Sequence, residues 1–587
     1  MIRSTFAGFT TAQLAMGASQ RSIDVTGQNI ANINTEGYTR QRLDVASLNL
    51  KNGSFYNSSN RTRVGYGVDM LGISQLRDPF LDAQYRSQIA KLGTTDAHAA
   101  GLEKLQVAFD ESTTPGVRDA FINLSNALQT LSKDDGYTKE NDTVVRSRMQ
   151  ILVNLFREKA VSLQDIRENT REDFQSTDIK DLNAALKNIA ELNTSIKNSQ
   201  VLGNNALELM DERNKLLDEL GSYLPINVNY KQKMIGEGYS VQVLDVSFTD
   251  SEGVNHRLIS DGRYGEFRTD ISGDPVTLTL TDADGYTLDV TEKLADGTLK
   301  GTLDFMNKSG DFDNSDFKGI GYYEKVFDSL IKKFAEEFNE ANKSVVQDST
   351  TINPGTATEE KLLHYEDSSQ NPPVPVYKAE DGKYYTDTAK TTEYSGDVKN
   401  LTPVYKKDPN DPNKYLMEER PLFEKIDPTK EFSALNIKIA TGWLNGTYGI
   451  TNSNNTVNDV VGSSANENIK NMIKMLSKEY SFTSEATDGP AKGMDVKFYS
   501  GTFYSCFANI EGTLGIDISS ATTMLDNQIT VLNETANSRD GVSGVQLDEE
   551  GMNLLHYNQS YNAAARLMTT LDEMLDKLIN GTGVVGR

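Results

Sequence analysis

Residues 543–580, SGVQLDEEGMNLLHYNQSYNAAARLMTTLDEMLDKLIN, decide the architecture of this chain. Apolar side chains recur there at alternating steps of three and four residues, which predicts one long helix with a narrow apolar strip of the coiled-coil kind. Asp548 is the expected N-cap, and Glu549 and Glu550 suit the positive end of the helix dipole. We call the strip the C-terminal seam; its members are Leu554, Tyr557, Tyr561, Ala564, Met568, Leu571, Leu575 and Leu578. A core helix of an ordinary globular domain would show the same spacing.

The opposite end of the chain carries a second narrow strip, on a helix predicted over residues 4–33. We call it the N-terminal seam; its members are Ile2, Phe6, Phe9, Met16, Ile23 and Ile30. Neither end has a neighbouring domain to cover its strip. Burial of apolar area contributes ~25 cal/mol per Å², and ordering costs ~1.5 kcal/mol per residue. The net free energy of pairing one strip with the other is therefore close to zero. We therefore expect both ends to be mobile in the monomer and to fold on assembly with other copies.

The stretch QNIANINTEGYTRQ, residues 28–41, interrupts the first helix. Asn32, Asn34 and Gly37 can end it, because Asn and Gly tolerate the left-handed conformation. Tyr38 then offers a flat ring with a hydroxyl, which suits a hydrated contact between subunits. A plain helix end with no contact role is the alternative interpretation.

Periodicity changes several times in the middle of the chain. Four helices are predicted within 80–220, strands over 226–305, and a helix over 322–342. Residues 346–430 are rich in turn dipeptides and predict a loop-rich β insertion, with short strands to about 460 and helix from there to the end.

The predicted fold class is mainly α with β insertions. A terminal coiled coil and an elongated helical bundle stalk would be formed by both chain ends, with two inserted β domains. The predicted domains are residues 1–60 with 540–587 (terminal coiled coil), 61–225 with 310–345 and 465–539 (helical rod), 226–309 (β) and 346–464 (loop-rich β insertion).

The charge balance restricts the classes of partner. The 587 residues contain 59 basic and 84 acidic side chains, a net charge of -25, so nucleic acid is not an expected partner. No charge-free apolar run approaches the ~18 residues of a membrane span, and no membrane partner is expected either. The N-terminus lacks the apolar core and cleavage site of a secretory signal, which predicts a cytoplasmic protein or export without a cleaved signal. The lone Cys506 predicts no internal disulfide and is interpreted as a small core residue.

No pattern in the sequence indicates catalysis, and we predict no enzyme, no metal and no cofactor. The four histidines, His98, His256, His364 and His556, show no metal-ligand spacing. DFDNSD (311–316) is rich in oxygen ligands but lacks the glycine and glutamate of an EF-hand, so a solvated turn is predicted. DADG (282–285) is predicted to be a hairpin turn, and GYG (65–67) a turn without the third glycine of a dinucleotide loop.

Three segments resemble the axial proteins of the bacterial flagellum. NIANINTEGYTRQ (29–41) resembles their Asn-x-x-Asn…Thr-x-Gly-Tyr signature, although Glu36 and Thr39 stand where Pro and Ser are frequent. GYGVDMLGISQLRDPFLDAQYR (65–86) resembles the next shared segment, and 543–580 their common C-terminal helix. LMDERNKLLDEL (209–220) and the large β insertions are similar to the hook-associated members of the group.

This resemblance implies a structural protein that self-assembles as a ring at the distal end of the hook and adapts it to the filament. It implies three partners besides the chain itself: the hook protein, a neighbouring junction protein on the filament side, and a cytoplasmic export chaperone that holds the C-terminal helix. It also implies unfolded export through the flagellar type III apparatus and an extracellular location. The expected assembly interface consists of Phe6, Phe9, Met16, Ile23, Ile30, Asn32, Gly37, Tyr38, Leu554, Tyr557, Tyr561, Met568, Leu571, Leu575 and Leu578.

Three alternatives remain open at the level of sequence. A hook or distal-rod protein shares the turn signature. A secreted enzyme could carry a catalytic domain at 346–460 on a flagellar stalk. A coiled-coil adhesin or phage-tail fibre would not need the NIANINTEGY turn.

Overall fold

A computed structural model gives the structure of the protein over most of its length. It describes residues 5–48, 67–111, 115–133, 136–236, 239–308, 318–345, 362–367, 369, 374–378, 383–387, 391–396, 401–405, 407–408, 411–415, 417–452, 466–485 and 493–581. The turn predicted at DFDNSD, residues 311–316, lies outside these residues.

The described helices confirm a mainly α fold. In chain order they are α1 (Thr5–Ala31), α2 (Pro79–Phe109), α3 (Val117–Leu131), α4 (Lys139–Asp173), α5 (Ile179–Val201), α6 (Leu207–Tyr223), α7 (Thr298–Asn307), α8 (Ile320–Ala341), α9 (Thr441–Leu444), α10 (Glu467–Ser477), α11 (Phe503–Ser543) and α12 (Leu547–Gly581). A π-helical turn, Phe174–Asp178, joins α4 to α5.

The described strands are mostly short and antiparallel. They are β1 (Gln41–Ser47), β2 (Val68–Gln75), β3 (Ile226–Gly236), β4 (Tyr239–Thr249), β5 (Asn255–Ser260), β6 (Arg263–Tyr264), β7 (Glu266–Asp270), β8 (Thr277–Thr281), β9 (Thr287–Asp289), β10 (Ser344–Val345), β11 (Leu362–Asp367), β12 (Val374–Lys378), β13 (Tyr384–Tyr385), β14 (Leu401–Tyr405), β15 (Lys407–Asp408), β16 (Asp411–Tyr415), β17 (Met417–Glu418), β18 (Phe423–Glu424), β19 (Lys438–Ile439), β20 (Tyr480–Glu485) and β21 (Asp495–Gly501). The larger sheets have the orders β3-β4-β5-β6, β7-β8-β9 and β13-β12-β11-β14. The predicted β insertions are therefore present.

The chain divides into two compact units, each built from separate stretches of sequence. Unit 1 comprises residues 1–101, 169–307 and 519–587, and unit 2 comprises residues 102–168 and 308–518. The four-domain division predicted from the sequence is finer than this and stays a prediction.

In unit 1 the side chain of Asn183 links helix α5 to strand β7. The side chain of Asn183 on α5 donates to the backbone oxygen of Phe267 on β7 at 2.8 Å and accepts from its backbone nitrogen at 2.8 Å. In the same sheet, Phe267 of β7 and Leu278 and Leu280 of β8 are buried. This alternation is typical of a sheet with one covered face.

Aromatic side chains form the core of unit 2. Phe334 lies near the centre, with its ring centroid 5.3 Å from that of Phe503 and 5.6 Å from that of Phe121. Such edge-to-face pairs add to the burial of apolar area. Cys506 is fully buried in this unit, and burial raises the pKa of its thiol, as expected for a structural cysteine.

Four local predictions were wrong. The region 80–220 contains a further helix, α3, which was not predicted although its buried residues Val117, Phe121, Leu124 and Leu128 follow helical spacing. The predicted β region at 226–305 ends in helix α7. The C-terminal part is not entirely helical, because Tyr480 and Phe482 alternate with exposed residues and form β20, paired with β21. Residues 41–47 and 68–75, which were not assigned to strands, form an antiparallel pair.

Candidate assembly interface

The two ends of the chain pack against each other as an antiparallel helix pair, α1 with α12. A Cβ placed on Gly8 would lie 3.1 Å from Cδ1 of Leu571, so the two helices approach closely at this point. Farther along, the side chain of Asn29 donates to Glu550 Oε2 at 3.2 Å. Because the step from Gly8 to Asn29 equals the step from Leu571 back to Glu550, both contacts fix the same register. The predicted pairing of the terminal helices is confirmed.

Partial coverage characterises the C-terminal seam. Only Ala564 is buried, whereas Leu578 is 58% exposed. The remaining seam residues are half-buried, namely Leu554, Tyr557, Tyr561, Met568, Leu571 and Leu575. The rest of α12 is mainly exposed, so its own chain covers only one strip of this helix.

Apolar side chains of α12 are also exposed to solvent, all of them outside the C-terminal seam except Leu578, at its end. The exposed ones are Met552 (66%), Leu555 (65%), Leu567 (47%), Met574 (56%), Leu578 (58%) and Ile579 (66%). Leu567, Met574 and Leu578 are seven and four residues apart, a spacing that places them along one side of the helix. We call these three residues the outer strip. Contiguous apolar surface of this kind is typical of an interaction site.

On α1 the N-terminal seam lies beside the most buried face. Phe9, Met16, Ile23 and Ile30 are half-buried, and the side chain of Phe6 lies outside the described residues. The buried positions of the same helix are small or polar: Ala12, Ala18, Ser19, Ser22, Val25, Thr26 and Asn29. At 100° per residue this face lies to one side of the seam. Small residues at helical spacing were the available signal for it in the sequence.

The turn after α1 depends on one left-handed residue. The helix ends at Ala31, and Gly37 has a φ of +80°, which a side chain would rarely adopt. Asn32 is half-buried, and its Oδ1 accepts from the hydroxyl of Thr35 at 3.2 Å. Neither Asn32 nor Asn34 takes the left-handed conformation, so that part of the predicted mechanism was wrong. Asn32 instead supports the turn through its side chain.

Tyr38 turns its hydroxyl towards its own chain. The hydroxyl donates to Asn29 Oδ1 at 2.9 Å, and the side chain is half-buried. Burial, with the carboxylates of Asp211, Glu208 and Glu550 nearby, raises the pKa of Tyr38 to about 12. The phenol therefore stays protonated at any physiological pH and acts as a hydrogen-bond donor.

Asn29 is the centre of a polar cluster between the two ends of the chain. It is 1% exposed, and its Nδ2 donates to the backbone oxygen of Gln41 at 2.9 Å as well as to Glu550. Its Oδ1 accepts from the backbone nitrogen of Gln41 at 3.0 Å as well as from Tyr38. Both donors and both acceptor sites of this buried amide are thus used.

Arg40 completes the cluster from the strand side. Its Nε donates to Glu550 Oε1 at 2.7 Å, and its Nη1 donates to Glu549 Oε2 at 2.6 Å. The Glu550 side chain is 2% exposed, whereas that of Glu549 is 47% exposed. A buried carboxylate must keep its partners, because removing one leaves an uncompensated charge. We call Asn29, Tyr38, Arg40, Glu549 and Glu550 the terminal cluster.

A second set of contacts ties the turn to the helical middle of unit 1. The backbone nitrogen of Thr39 donates to Asp211 Oδ2 at 3.2 Å. Arg77 Nη1 donates to the hydroxyl of Thr39 at 3.2 Å and forms two hydrogen bonds, 3.0 and 2.8 Å, with Asp82. Burial raises the pKa of Asp211, while its hydrogen bonds with Thr39 oppose that shift. Asp78 accepts from the backbone nitrogen of Phe80 at 2.9 Å and so caps α2.

The terminal cluster was not predicted from the sequence. Glu550 was assigned to the helix dipole alone, and Asn29 and Arg40 were given no role. Asp548 was expected to be the N-cap, but α12 begins at Leu547, so Asp548 lies in the first turn. The signal for Arg40 and Glu550 is a pairing across 510 residues, and a single sequence does not display it.

No metal or membrane site is found within the described residues. They contain no group of three or more His, Cys, Asp or Glu side chains arranged to hold a metal ion. Among the same residues we find no helix with the length and hydropathy that crossing a membrane requires. Asp282 accepts from the backbone nitrogens of Asp284 and Tyr286, and Gly285 has a φ of +92°, which confirms the hairpin turn at DADG.

Comparisons with known proteins identify three segments of the chain. Residues 102–354 match the family described as "Flagellar hook-associated protein FlgK helical domain". Residues 541–581 match "Flagellar basal body rod FlgEFG protein C-terminal", and residues 9–39 match "Flagella basal body rod protein". The last two segments contain most of α12 and α1, the helices that pair in the structure.

Relatives match the chain from end to end. Flagellar hook-associated protein 1 of Bacillus subtilis (strain 168) is 25% identical over 100% of both chains. The protein of the same name from Escherichia coli (strain K12) is 23% identical over 97% of this chain and 98% of its own length. A solved structure described as the flagellar hook junction protein FlgK from Burkholderia pseudomallei aligns with a TM-score of 0.46 and 12% identity, covering 78% of this chain and 100% of the other.

These sequence matches define the class: the protein is a structural component of the bacterial flagellum, with terminal helices that match those of basal body rod proteins. Within this class it resembles flagellar hook-associated protein 1 over its whole length. Its relatives are structural proteins, and the prediction that the chain is not an enzyme is thereby confirmed.

Proposed function

We propose that this protein self-assembles as a ring at the distal end of the flagellar hook and adapts the hook to the filament. The observation that carries this proposal is the one-sided coverage of α12. Its seam is half-buried by its own chain, while Leu567, Met574 and Leu578 of the outer strip are about half exposed at 47, 56 and 58%. Copies packed side by side would bury these residues.

The terminal cluster supports assembly by fixing which faces of the two helices point outwards. Arg40, Asn29 and Glu550 hold α1 and α12 in one register. A pair of helices without such buried polar contacts could slide or rotate, since apolar strips alone specify register weakly. One register presents the half-buried seams, including Phe9, Met16, Ile23 and Leu571, together with the outer strip to neighbouring subunits.

The proposed assembly surface comprises the residues that the sequence indicated. They are Phe6, Phe9, Met16, Ile23, Ile30, Leu554, Tyr557, Tyr561, Met568, Leu571, Leu575 and Leu578, with Asn32, Gly37 and Tyr38 shaping the turn. In the assembled ring the terminal domain would form the inner layer, the helical domain the next layer, and the two β domains the exterior.

The proposed partners follow from this position. They are other copies of the chain, the hook protein on one side, and a neighbouring junction protein on the filament side. Before export, a cytoplasmic chaperone would cover the C-terminal helix, whose exposed Met574 and Leu578 are unfavourable in water. Export would follow the flagellar type III route without a cleaved signal.

A hook or distal-rod protein is the second candidate. The observation in its favour is that both terminal segments, 9–39 and 541–581, match families described as basal body rod proteins. The match of 102–354 to the hook-associated helical domain favours the junction instead.

The test is binding of the purified, fluorescently labelled protein to isolated hooks and isolated rods. We expect binding at the distal end of hooks and none along rods. A double variant, Leu567→Ser with Met574→Ser, should lose this binding because it makes the outer strip polar. Leu202→Ser, at an 87% exposed apolar residue outside the terminal helices, serves as the control and should bind normally. Binding along rods, or to neither structure, would contradict the proposed position.

A further inference from the structure

A cavity of about 610 Å³ lies within unit 1, away from the seams of α1 and α12. Its walls come from β2, the start of α2, the end of α5, α6 and the strands β3 and β4. Most of the lining side chains are neutral and polar, among them Gln200, Asn205, Gln232 and Gln242. The charged side chains in the wall are Arg77, Asp82 and Arg213. The charge balance of this wall therefore depends on how these three residues pair.

One of the two arginines in the wall is compensated and the other is not. Arg77 forms its two hydrogen bonds with Asp82. Arg213 is 2% exposed, and its hydrogen-bond acceptors are both neutral amides: Asn193 Oδ1 at 3.0 Å and Gln242 Oε1 at 3.5 Å. No carboxylate of the described residues lies within ion-pair distance of it.

The surroundings make this charge costly. Burial lowers the pKa of Arg213, and the positive charges of Arg77 and Arg86 lower it further. A guanidinium nevertheless stays protonated in proteins, so the unit holds a buried cation whose one aromatic neighbour is the ring of Tyr230, 5.5 Å from its Cζ. Buried charged side chains are almost always paired in proteins, and this one has no counter-charge among the described residues.

One buried edge of the guanidinium lacks a strong acceptor. Nη1 is engaged with Asn193, whereas Nε has no hydrogen-bond partner. Nη2, which lies beside Nε on the same edge, has only the long 3.5 Å contact with Gln242. Two parallel N–H groups on one edge match the two oxygens of a carboxylate.

We propose that this cavity is a carboxylate-binding site, in which the Nε–Nη2 edge of Arg213 holds both carboxylate oxygens. The Gln242 side chain, whose Oε1 lies 3.5 Å from Nη2, would swing aside when the carboxylate enters. Two sources supply the same chemistry: a small free carboxylate, or an aspartate or glutamate side chain of a neighbouring copy of this chain, the latter resting on the proposed self-assembly.

The first test uses the full chain and sodium acetate as the probe, with sodium chloride at equal ionic strength as the reference. Thermal unfolding of the wild type should show a saturable rise of the midpoint of ~1–3 °C with acetate and none with chloride. Gln242→Glu places a carboxylate beside Arg213, so this variant should have a higher midpoint in chloride and no saturable response to acetate. Lys187→Gln, at an exposed cation on α5 outside the cavity, should respond like the wild type.

The second test separates the two sources, using sedimentation of the full chain at rising concentration. If acetate weakens self-association and Gln242→Glu weakens it too, the site takes a side chain of a neighbouring copy. If the wild type binds acetate but shows the same extent of self-association as Gln242→Glu, the site takes a free carboxylate.

A wild type that responds equally to acetate and chloride, and that associates like Gln242→Glu, would overturn the proposal. Arg213→Gln gives a further check that does not depend on Gln242. It should abolish the acetate response, and retention of that response would place the carboxylate elsewhere. Neither test requires the outer strip, so failure here is distinguishable from failure of the proposed ring.

Discussion

At the scale of single residues, the buried polar side chains specify the pairing of the two chain ends. Asn29 uses every donor and acceptor of its amide, and Glu550 is 2% exposed with Arg40 on one oxygen and Asn29 on the other. Each group would be costly if its partner were absent. The contacts therefore exclude other registers more than they add stability.

Removal of Glu550 should open the helix pair. In Glu550→Ala, Arg40 and Asn29 lose a buried acceptor, and we expect a loss of about 3 kcal/mol from the pairing of α1 and α12, roughly a hundredfold in the opening equilibrium. Hydrogen exchange of residues 20–31 and 547–560 in the assembled protein measures this change. Glu549→Ala removes the 47% exposed carboxylate of the same cluster and should cost less than about 1 kcal/mol. Equal effects of the two variants would contradict the role given to burial.

Asp328 in unit 2 should make stability depend on pH. Burial raises its pKa to about 6, and the backbone nitrogen of Ala434, at 2.8 Å, is its one hydrogen-bond donor among the described residues. Between about pH 4 and 6 the folded state keeps a proton that the unfolded state has lost, so this residue's contribution to stability falls as pH rises.

The substitution Asp328→Asn keeps an acceptor for Ala434 and removes the charge. It should raise the free energy of unfolding by about 1–3 kcal/mol at pH 7 and have almost no effect near pH 4. Thermal unfolding at the two pH values measures the difference. Glu336→Gln, at an exposed position of the same helix, is the control and should show no such pH dependence. An equal increase in the free energy of unfolding at both pH values would show that the charge of Asp328 does not destabilise the fold.

At the scale of elements, the terminal helices are one-sided: each has one covered strip and a large exposed remainder. Leu571 lies where Gly8 allows a close approach of α1, and Leu575 follows one turn later. Both are half-buried, so a charge at either position would disrupt the helix pair and any neighbour packed on it.

Leu571→Asp or Leu575→Asp should leave the β domains folded and abolish incorporation into the flagellum. Circular dichroism of the purified variants and electron microscopy of hooks incubated with them measure the two outcomes. Thr570→Asp, one residue away on the exposed side of α12, is the matched control and should incorporate normally. Filament growth on hooks carrying Leu571→Asp would show that the C-terminal seam is not an assembly element.

Most of the helices were predictable from the sequence, and the individual polar contacts between distant residues were not. The seams of α1 and α12 repeat over many turns, so both helices followed from spacing, and their pairing followed from the lack of a neighbouring domain at either end. The terminal cluster joins residues 510 positions apart, and its members are polar residues that a helix surface commonly carries. The strands β20 and β21 are six and seven residues long, too short for their alternation to outweigh the helical residues around them.

At the scale of the whole molecule, the structure shows the two ends paired, whereas the sequence predicts that they are mobile in the monomer. The half-buried seams supply less apolar burial than a closed core does, so we expect the pair to open readily in the isolated chain and to be protected on assembly. Hydrogen exchange of residues 5–31 and 547–581 at low and high protein concentration measures this. The buried core around Phe334 in unit 2 provides the internal reference. Ends that exchange slowly, with no dependence on concentration, would contradict the prediction.

The pairing of α1 with α12 also requires that the whole chain has been synthesised. The α1 segment, Thr5–Ala31, is made long before Glu550 and the rest of its partner helix exist. In a chain truncated by a premature stop, Arg40 and Asn29 would lack the carboxylate of Glu550. The terminal helix pair would then not form. We therefore expect truncated chains to be excluded from assembly.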